Sequence, residues 1–166
     1  MIKDVKKYPI SQLFDISQNV AYLVPRYQRE YSWTKGQWER LFDDLLDNDA
    51  GYFLGSIICI NQSTDALDVQ TLDLVDGQQR LTTLSILFAT IYHALIERWA
   101  DLNEDQQNEL FNLKRKLVLK KNGNCRVIPQ IHNQNQMDYM ALLGRCRIID
   151  TIELPAYAGN RKIFKA

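Results

Sequence analysis

Within eight residues, Asp76-Gly77-Gln78-Gln79-Arg80-Leu81-Thr82-Thr83, the chain sets down a carboxylate, a glycine, two amides, a guanidinium and two hydroxyls. An apolar run, Leu72 to Val75, stops at Asp-Gly, and apolar residues at helical spacing begin directly after it. A strand-to-helix turn of this kind exposes the first backbone N–H groups of the helix, which suit an anion. Gly77 lets the backbone approach a ligand closely. Arg80 adds a planar fork that matches phosphate oxygens. The residues therefore suit a phosphate-binding turn. A plainer role fits them as well: Asp76 as an N-cap, Gln79 three residues on completing a capping box, and Arg80 solvated in the first turn. The two overlap, because a capped turn still presents Arg80.

A second stretch carries chemistry without a clean period. Pro25-Arg26-Tyr27-Gln28-Arg29-Glu30-Tyr31-Ser32-Trp33 packs two arginines and three aromatics into nine residues. Irregular segments of this mix are typical of binding surfaces, where rings stack and guanidinium groups pair with anions. The alternative is an ordered loop whose aromatics plug the core, and the aromatics can do this while the arginines bind.

The elements that position these stretches follow from periodicity and punctuation. Ser11 is read as the N-cap of a short helix, Gln12 to Ile16. Val20 to Val24 is a short strand ended by Pro25. Thr34 and Gln37 form a capping box, and Trp33 and Trp38 stand at the positions of a hydrophobic staple. The helix they start carries Trp38, Leu41, Phe42, Leu45 and Leu46 at helical spacing and ends near Asn48 to Gly51. Asp43 and Asp47 share a face of it; that pair is either a polar outer face or a water-mediated Mg²⁺ holder. Residues 52–60 are apolar at both alternate sets, which predicts a central strand buried on two faces. Gly55 within it signals a bulge or the close approach of another backbone. Asn61 to Gln70 reads as a hairpin connection and Thr71 to Val75 as the strand delivering the Asp-Gly turn. The longest helix is predicted from Gln78 to about Ala100, with a stripe wide enough to be packed on more than one side. His93, in or beside that stripe, reads as a structural histidine. A further helix spans Asn103 to Leu119, capped by Asn103 and Gln106. Asn122-Gly123-Asn124 is a turn, Cys125 to Ile131 is extended, and Gln136 to Leu143 is a helix stopped by Gly144.

Composition narrows the function classes. At 46% hydrophobic and with a formal net charge of +0, the chain has material for a real core and no global field to recruit nucleic acid. Acid gathers at Glu39, Asp43, Asp44, Asp47, Asp49, Asp65, Asp68, Asp73 and Asp76. Base gathers at Lys114, Arg115, Lys116, Lys120, Lys121 and Arg126. Each run reads as a solvated face, with a basic rim around an anion site as the sharper alternative. Cys59, Cys125 and Cys146 are odd in number and far apart, with no CxxC spacing, and His93 and His132 lack partners at ligand spacing. The thiols and the absence of a signal-peptide pattern or membrane-spanning run predict a soluble protein of a reducing cytoplasm. The tail from Arg145 has few core signals. Its end, Asn160 to Ala166, resembles the first turns of a helix cut off in mid-pattern, so a longer protein is expected.

Three segments in order, Pro25 to Trp33, Tyr52-Phe53-Leu54-Gly55-Ser56-Ile57, and Asp76 to Leu84, resemble the N-terminal domain of GmrSD-type modification-dependent restriction enzymes. That family carries a Pro-x-Tyr-Gln-Arg-x-Tyr-x-Trp motif and an Asp-Gly-Gln-Gln-Arg motif. The resemblance implies an α+β fold similar to the ParB/sulfiredoxin type, a small mixed sheet with packed helices over residues 1–100, followed by a helical extension, 101–166. It further implies a site that binds and hydrolyses a nucleoside triphosphate (GTP, ATP or CTP) with Mg²⁺. In the full-length protein this would be coupled to DNA cleavage by a His-Asn-His-type nuclease domain or subunit. Carried over, Asp76, Gln78, Gln79 and Arg80 are the expected catalytic residues. Gly77, Arg80, Thr82, Thr83, Arg26, Gln28 and Arg29 are the expected nucleotide-binding residues, and Asp76 is the expected Mg²⁺ contact. The physical logic agrees, because phosphoryl transfer needs charge stabilisation and a positioned water more than covalent chemistry.

The residues also depart from patterns known elsewhere for the implied fold and activity. Sulfiredoxins place a reactive cysteine at their phosphate motif, where Gln78 and Gln79 stand here, so sulfinic acid reduction is not expected. There is no Walker A pattern and no His-Asn-His motif. The competing function is a DNA-binding module, with a base or its modification stacked on Tyr27, Tyr31 or Trp33. Exposure of those rings discriminates between the two.

Overall fold

The structure is a computed structural model that describes residues 5–63, 69–129, 135–150 and Ile163. In chain order it runs α1 (Ile10–Leu13), β1 (Val20–Leu23), α2 (Lys35–Asp47), β2 (Ile58–Asn61), β3 (Gln70–Asp76) and α3 (Gln78–Ile96). A 3-10 turn at Trp99–Asp101 follows, then α4 (Glu104–Leu117), β4 (Val127–Ile128) and α5 (Asn135–Arg145). The class is α+β, as expected. One mixed sheet has the order β2-β3-β1-β4, with five α-helices among the described residues. β1 is parallel to both of its neighbours, and β2 returns antiparallel to β3. Residues 64–68 of the β2–β3 connection lie outside the described residues, as does most of the tail.

Being interior, β1 buries Val20, Ala21 and Tyr22. β3 feeds α3, whose residues Leu81 to Ile86 are buried without a break. The wide stripe read from the sequence is thus a helix enclosed on all sides over Leu81 to Ile86, and α3 also packs on α4 and touches β4. The caps of α2 and α4 form as predicted. Gln37 Oε1 accepts from the Thr34 N–H at 2.8 Å, and Asn103 Oδ1 accepts from the Gln106 N–H at 2.9 Å. Asp43 and Asp47 are exposed.

Four expectations are corrected. Residues 52–60 are not a central strand. Only Ile58–Asn61 pairs, at the sheet edge, with Ile58 and Ile60 exposed. Their apolar character marks an edge and a connecting segment, and Gly55, at φ +109°, takes the backbone out of extended geometry ahead of β2. The first helix starts at Ile10 with Pro9 at its cap, because proline presets the backbone there and its carbonyl accepts from the Gln12 N–H. Gly144 lies inside α5, and the left-handed residue that ends the helix is Arg147, at φ 59°. Finally, the basic run is not wholly solvated. Arg126 is 1% exposed, and its guanidinium donates to the carbonyls of Lys116, Gln18 and Val20 at 3.0, 3.1 and 3.1 Å.

Candidate functional site

β3 ends at Asp76, which still pairs with Ile58 and so cannot cap the helix. The cap is Gly77, at φ 84°. This position needs glycine twice over. The left-handed backbone disfavours a side chain, and a Cβ would stand 2.8 Å from Ser56 O and 2.9 Å from Ile57 Cγ1. The capping box expected from Asp76 and Gln79 is therefore absent, and Gln79 turns elsewhere.

It turns to the loop after β1. Residues 25–33 have no sheet partner, yet their buried backbone groups require hydrogen bonds. Gln78 and Gln79 of α3 supply some of them, and Gln28 ties the loop to β3. Gln28 Nε2 donates to Val75 O at 2.8 Å, and Gln78 Nε2 donates to Arg29 O at 3.3 Å. Gln79 donates from Nε2 to Glu30 O at 2.9 Å and accepts at Oε1 from the Ser32 N–H at 2.8 Å. The Gln79 amide thus meets residues 30 and 32 as a neighbouring strand would, and its donor and acceptor are both engaged.

A buried relay reinforces the joint. Trp38 Nε1 donates to Tyr31 Oη at 2.9 Å, Tyr31 Oη meets Thr83 Oγ1 at 2.7 Å, and Thr83 Oγ1 donates to Gln79 O at 2.8 Å. Indole N–H is only a donor and the Thr83 proton is committed to the carbonyl, so Tyr31 must donate to Thr83. Burial raises the Tyr31 phenol above its ordinary pKa, which keeps that proton in place. Tyr31→Phe is expected to lower stability by about 1–2 kcal/mol, because Trp38 loses its acceptor and Thr83 its donor. A urea titration would read this, and an unchanged midpoint would show that the relay contributes nothing.

On the other side of α3 sits Arg80, about 200° around the helix from Gln78. Its Nη1 donates to Ser56 O at 3.0 Å. The start of α3 is thus gripped from two sides, by loop 25–33 and by segment 55–57. Between these walls the N–H groups of Gln78, Gln79 and Arg80 occupy the first turn, where a helix offers no acceptor. Arg26, Tyr27, Arg29 and Asp76 are exposed around this point. A shallow recess lined by Val24, Arg29, Tyr31, Gln78, Thr82 and Pro129 opens beside it. Gln78 Oε1 is buried and has no partner among the described residues.

All the sequence-predicted residues therefore lie on the two motif segments that meet here, but in different surroundings. Thr82 and Thr83 are buried in α3. Of the aromatics, Tyr31 is enclosed at 4% exposed, Trp33 is half-buried against the core, and Tyr27 is 72% exposed. Tyr27 is thus the ring with an open face. Burial pushes Cys59 and Cys125 up to about 11 and raises Cys146, so these thiols stay protonated near neutrality. Sequence reasoning did not find the pairing of Arg80 with segment 55–57, although Gly55 in an apolar run was its signal. Nor did it find that Gln79 is spent on the loop.

Among known families, the one described as GmrSD restriction endonuclease, N-terminal domain, matches residues 10–155. No curated protein matches the chain.

Proposed function

Because the chain belongs to the family of GmrSD restriction endonuclease N-terminal domains, a setting of restriction and phage defence, we propose that it binds a nucleoside triphosphate at the start of α3. Hydrolysis there regulates DNA cleavage by a nuclease domain or subunit of the full-length protein. One observation carries this reading. Two motif segments far apart in sequence meet at a helix start, whose first N–H groups have no acceptor within the helix, with Arg80 on one wall and Arg26 and Arg29 exposed on the other.

In this reading the helix start and Gly77 take phosphate oxygens through backbone N–H groups. A guanidinium has five N–H donors and the described residues use one of Arg80's, so the fork retains donors for phosphate. Asp76, exposed at the strand end, accepts the proton of the attacking water as its oxygen bonds to the terminal phosphorus and the bond to the β-phosphate oxygen breaks. Gln78, whose Oε1 has no partner among the described residues, orients that water, and Gln79 holds the loop. No group of three His, Cys, Asp or Glu that could hold a metal occurs among the described residues. Asp76 fits Mg²⁺ only as a single carboxylate acting together with the triphosphate, whose charge the ion would neutralise when bound.

Calorimetry with ATP, GTP and CTP, with and without Mg²⁺, tests the reading on this chain, on the full-length protein and on Arg80→Ala. Binding weakened at least about tenfold in Arg80→Ala is expected, in line with loss of a charge-assisted contact. Absence of binding by the full-length protein, or an unaffected Arg80→Ala, would overturn it. A second reading, DNA contact, is favoured by one feature, the exposed Tyr27 between the exposed Arg26 and Arg29. It requires DNA binding that falls steeply with salt and weakens in Tyr27→Ala.

A further inference from the structure

Arg80 does not simply project from α3. A Cβ built on Gly55 would lie 2.6 Å from the Arg80 Cζ, 2.6 Å from Nη2 and 2.8 Å from Nη1. All three atoms belong to the guanidinium plane, so the group lies where a side chain at residue 55 would start. Ser56 O, one residue on, accepts from Nη1 at 3.0 Å and fixes the rotation of the plane. Gly55 is held at φ +109°, a conformation that L side chains rarely adopt. Backbone geometry and the missing side chain together make a floor under a planar cation.

We propose that Gly55 is a positioning residue: it is the floor that orients the Arg80 guanidinium, so that the site takes a tetrahedral oxyanion such as the phosphate tail of a nucleotide. The choice of anion rests on the nucleotide reading, whereas the contact itself does not. Preorganisation is what the floor supplies, because a long side chain otherwise loses rotamer freedom when it binds. Arginine is required rather than lysine, since a planar fork can occupy the vacant side-chain position of Gly55 while donating to Ser56 O and keeping donors for the anion.

A substitution at Gly55 strains the backbone whatever it touches, so the test needs a control, and the same segment contains one. Gly51 has φ +103° with nothing within 4 Å of its Cβ position. Gly51→Ala therefore carries the same kind of backbone strain without meeting Arg80. Gly55→Ala, Gly51→Ala, Arg80→Ala and the Gly55→Ala/Arg80→Ala pair would be compared by urea midpoint, by the Arg80 Nε–Hε signal in ¹⁵N NMR, and by calorimetry with Mg²⁺ and the triphosphates.

Gly55→Ala is expected to lower the midpoint more in the native background than in Arg80→Ala, to move the Arg80 signal, and to weaken triphosphate binding about tenfold or more. Gly51→Ala is expected to leave the Arg80 signal in place and binding within about twofold. If the Gly55→Ala penalty is the same in both backgrounds and the Arg80 signal is unmoved, the floor does not exist. Should Gly55→Ala not fold alone while the double variant folds, the coupling is upheld. Coupling in stability and NMR without triphosphate binding by any protein, full-length chain included, upholds the floor and sinks the nucleotide reading instead.

Discussion

Replacing Arg126 with alanine is expected to destabilise the fold by about 3–5 kcal/mol, from the buried Val20 carbonyl and the part-buried Lys116 and Gln18 carbonyls that lose this donor, and from the packing lost with a side chain 1% exposed. The guanidinium joins two places that need donors. Lys116 O is among the last carbonyls of α4, which the helix itself leaves unbonded, while Gln18 O and Val20 O stand at the entry to β1. Burial pulls the Arg126 pKa below its ordinary value, and an arginine still stays charged at any working pH. At roughly 2–4 °C per kcal/mol for a chain of this size, thermal unfolding should fall by about 10 °C. Lysine should restore only part of this, since a single ammonium lacks the fork needed to reach three carbonyls. A loss under about 1 kcal/mol in Arg126→Ala would mean that water replaces the guanidinium and that the tie is dispensable.

The second large effect is at Gln79. Gln79→Leu strips the donor from Glu30 O and the acceptor from the Ser32 N–H, and should cost about 2–3 kcal/mol. Faster hydrogen exchange at the Ser32 amide should accompany it. Gln79→Glu is more informative. The introduced carboxyl keeps an acceptor for Ser32 but, when ionised, sets an oxygen against Glu30 O. Folding then favours the protonated acid, so its folded pKa rises above the unfolded one. Stability should be greatest below the unfolded carboxyl pKa and should fall as pH rises through the folded value. A Gln79→Glu protein whose stability follows the native pH profile would show that the amide is not holding the loop.

The sequence carried the class, the long helix and the caps of α2 and α4 plainly, because these rest on local signals. Thr34 with Gln37 and Asn103 with Gln106 are spaced to satisfy helix ends wherever they occur. It also carried the meeting of the two motif stretches, through the ordered resemblance. What it hid were decisions made by distant partners. Gln79 three residues after Asp76 looks like a cap, and only the loop at Glu30 and Ser32 shows that its amide is spent on the loop. The run at 52–60 looks like a buried strand, because apolar residues at an edge and in a core have the same letters. Arg126 stands in a run of solvated bases and differs from them only in which carbonyls the fold brings to it.

The sheet order sets the sequence of events in folding. β1 lies between its two partners, pairing Val20 with Gln70 on one side and Tyr22 with Val127 on the other. Both pairings are parallel and both wait on chain made much later, so β1, the earliest strand among the described residues, is the last to have both edges covered. Contacts between such distant residues slow folding, because loop closure must be met before pairing repays it. Until β4 arrives, an apolar strand with an open edge is the segment most exposed to wrong partners. The Arg126 tie, next to β4 and reaching back to Gln18 and Val20, then closes that edge at the same moment as it is covered.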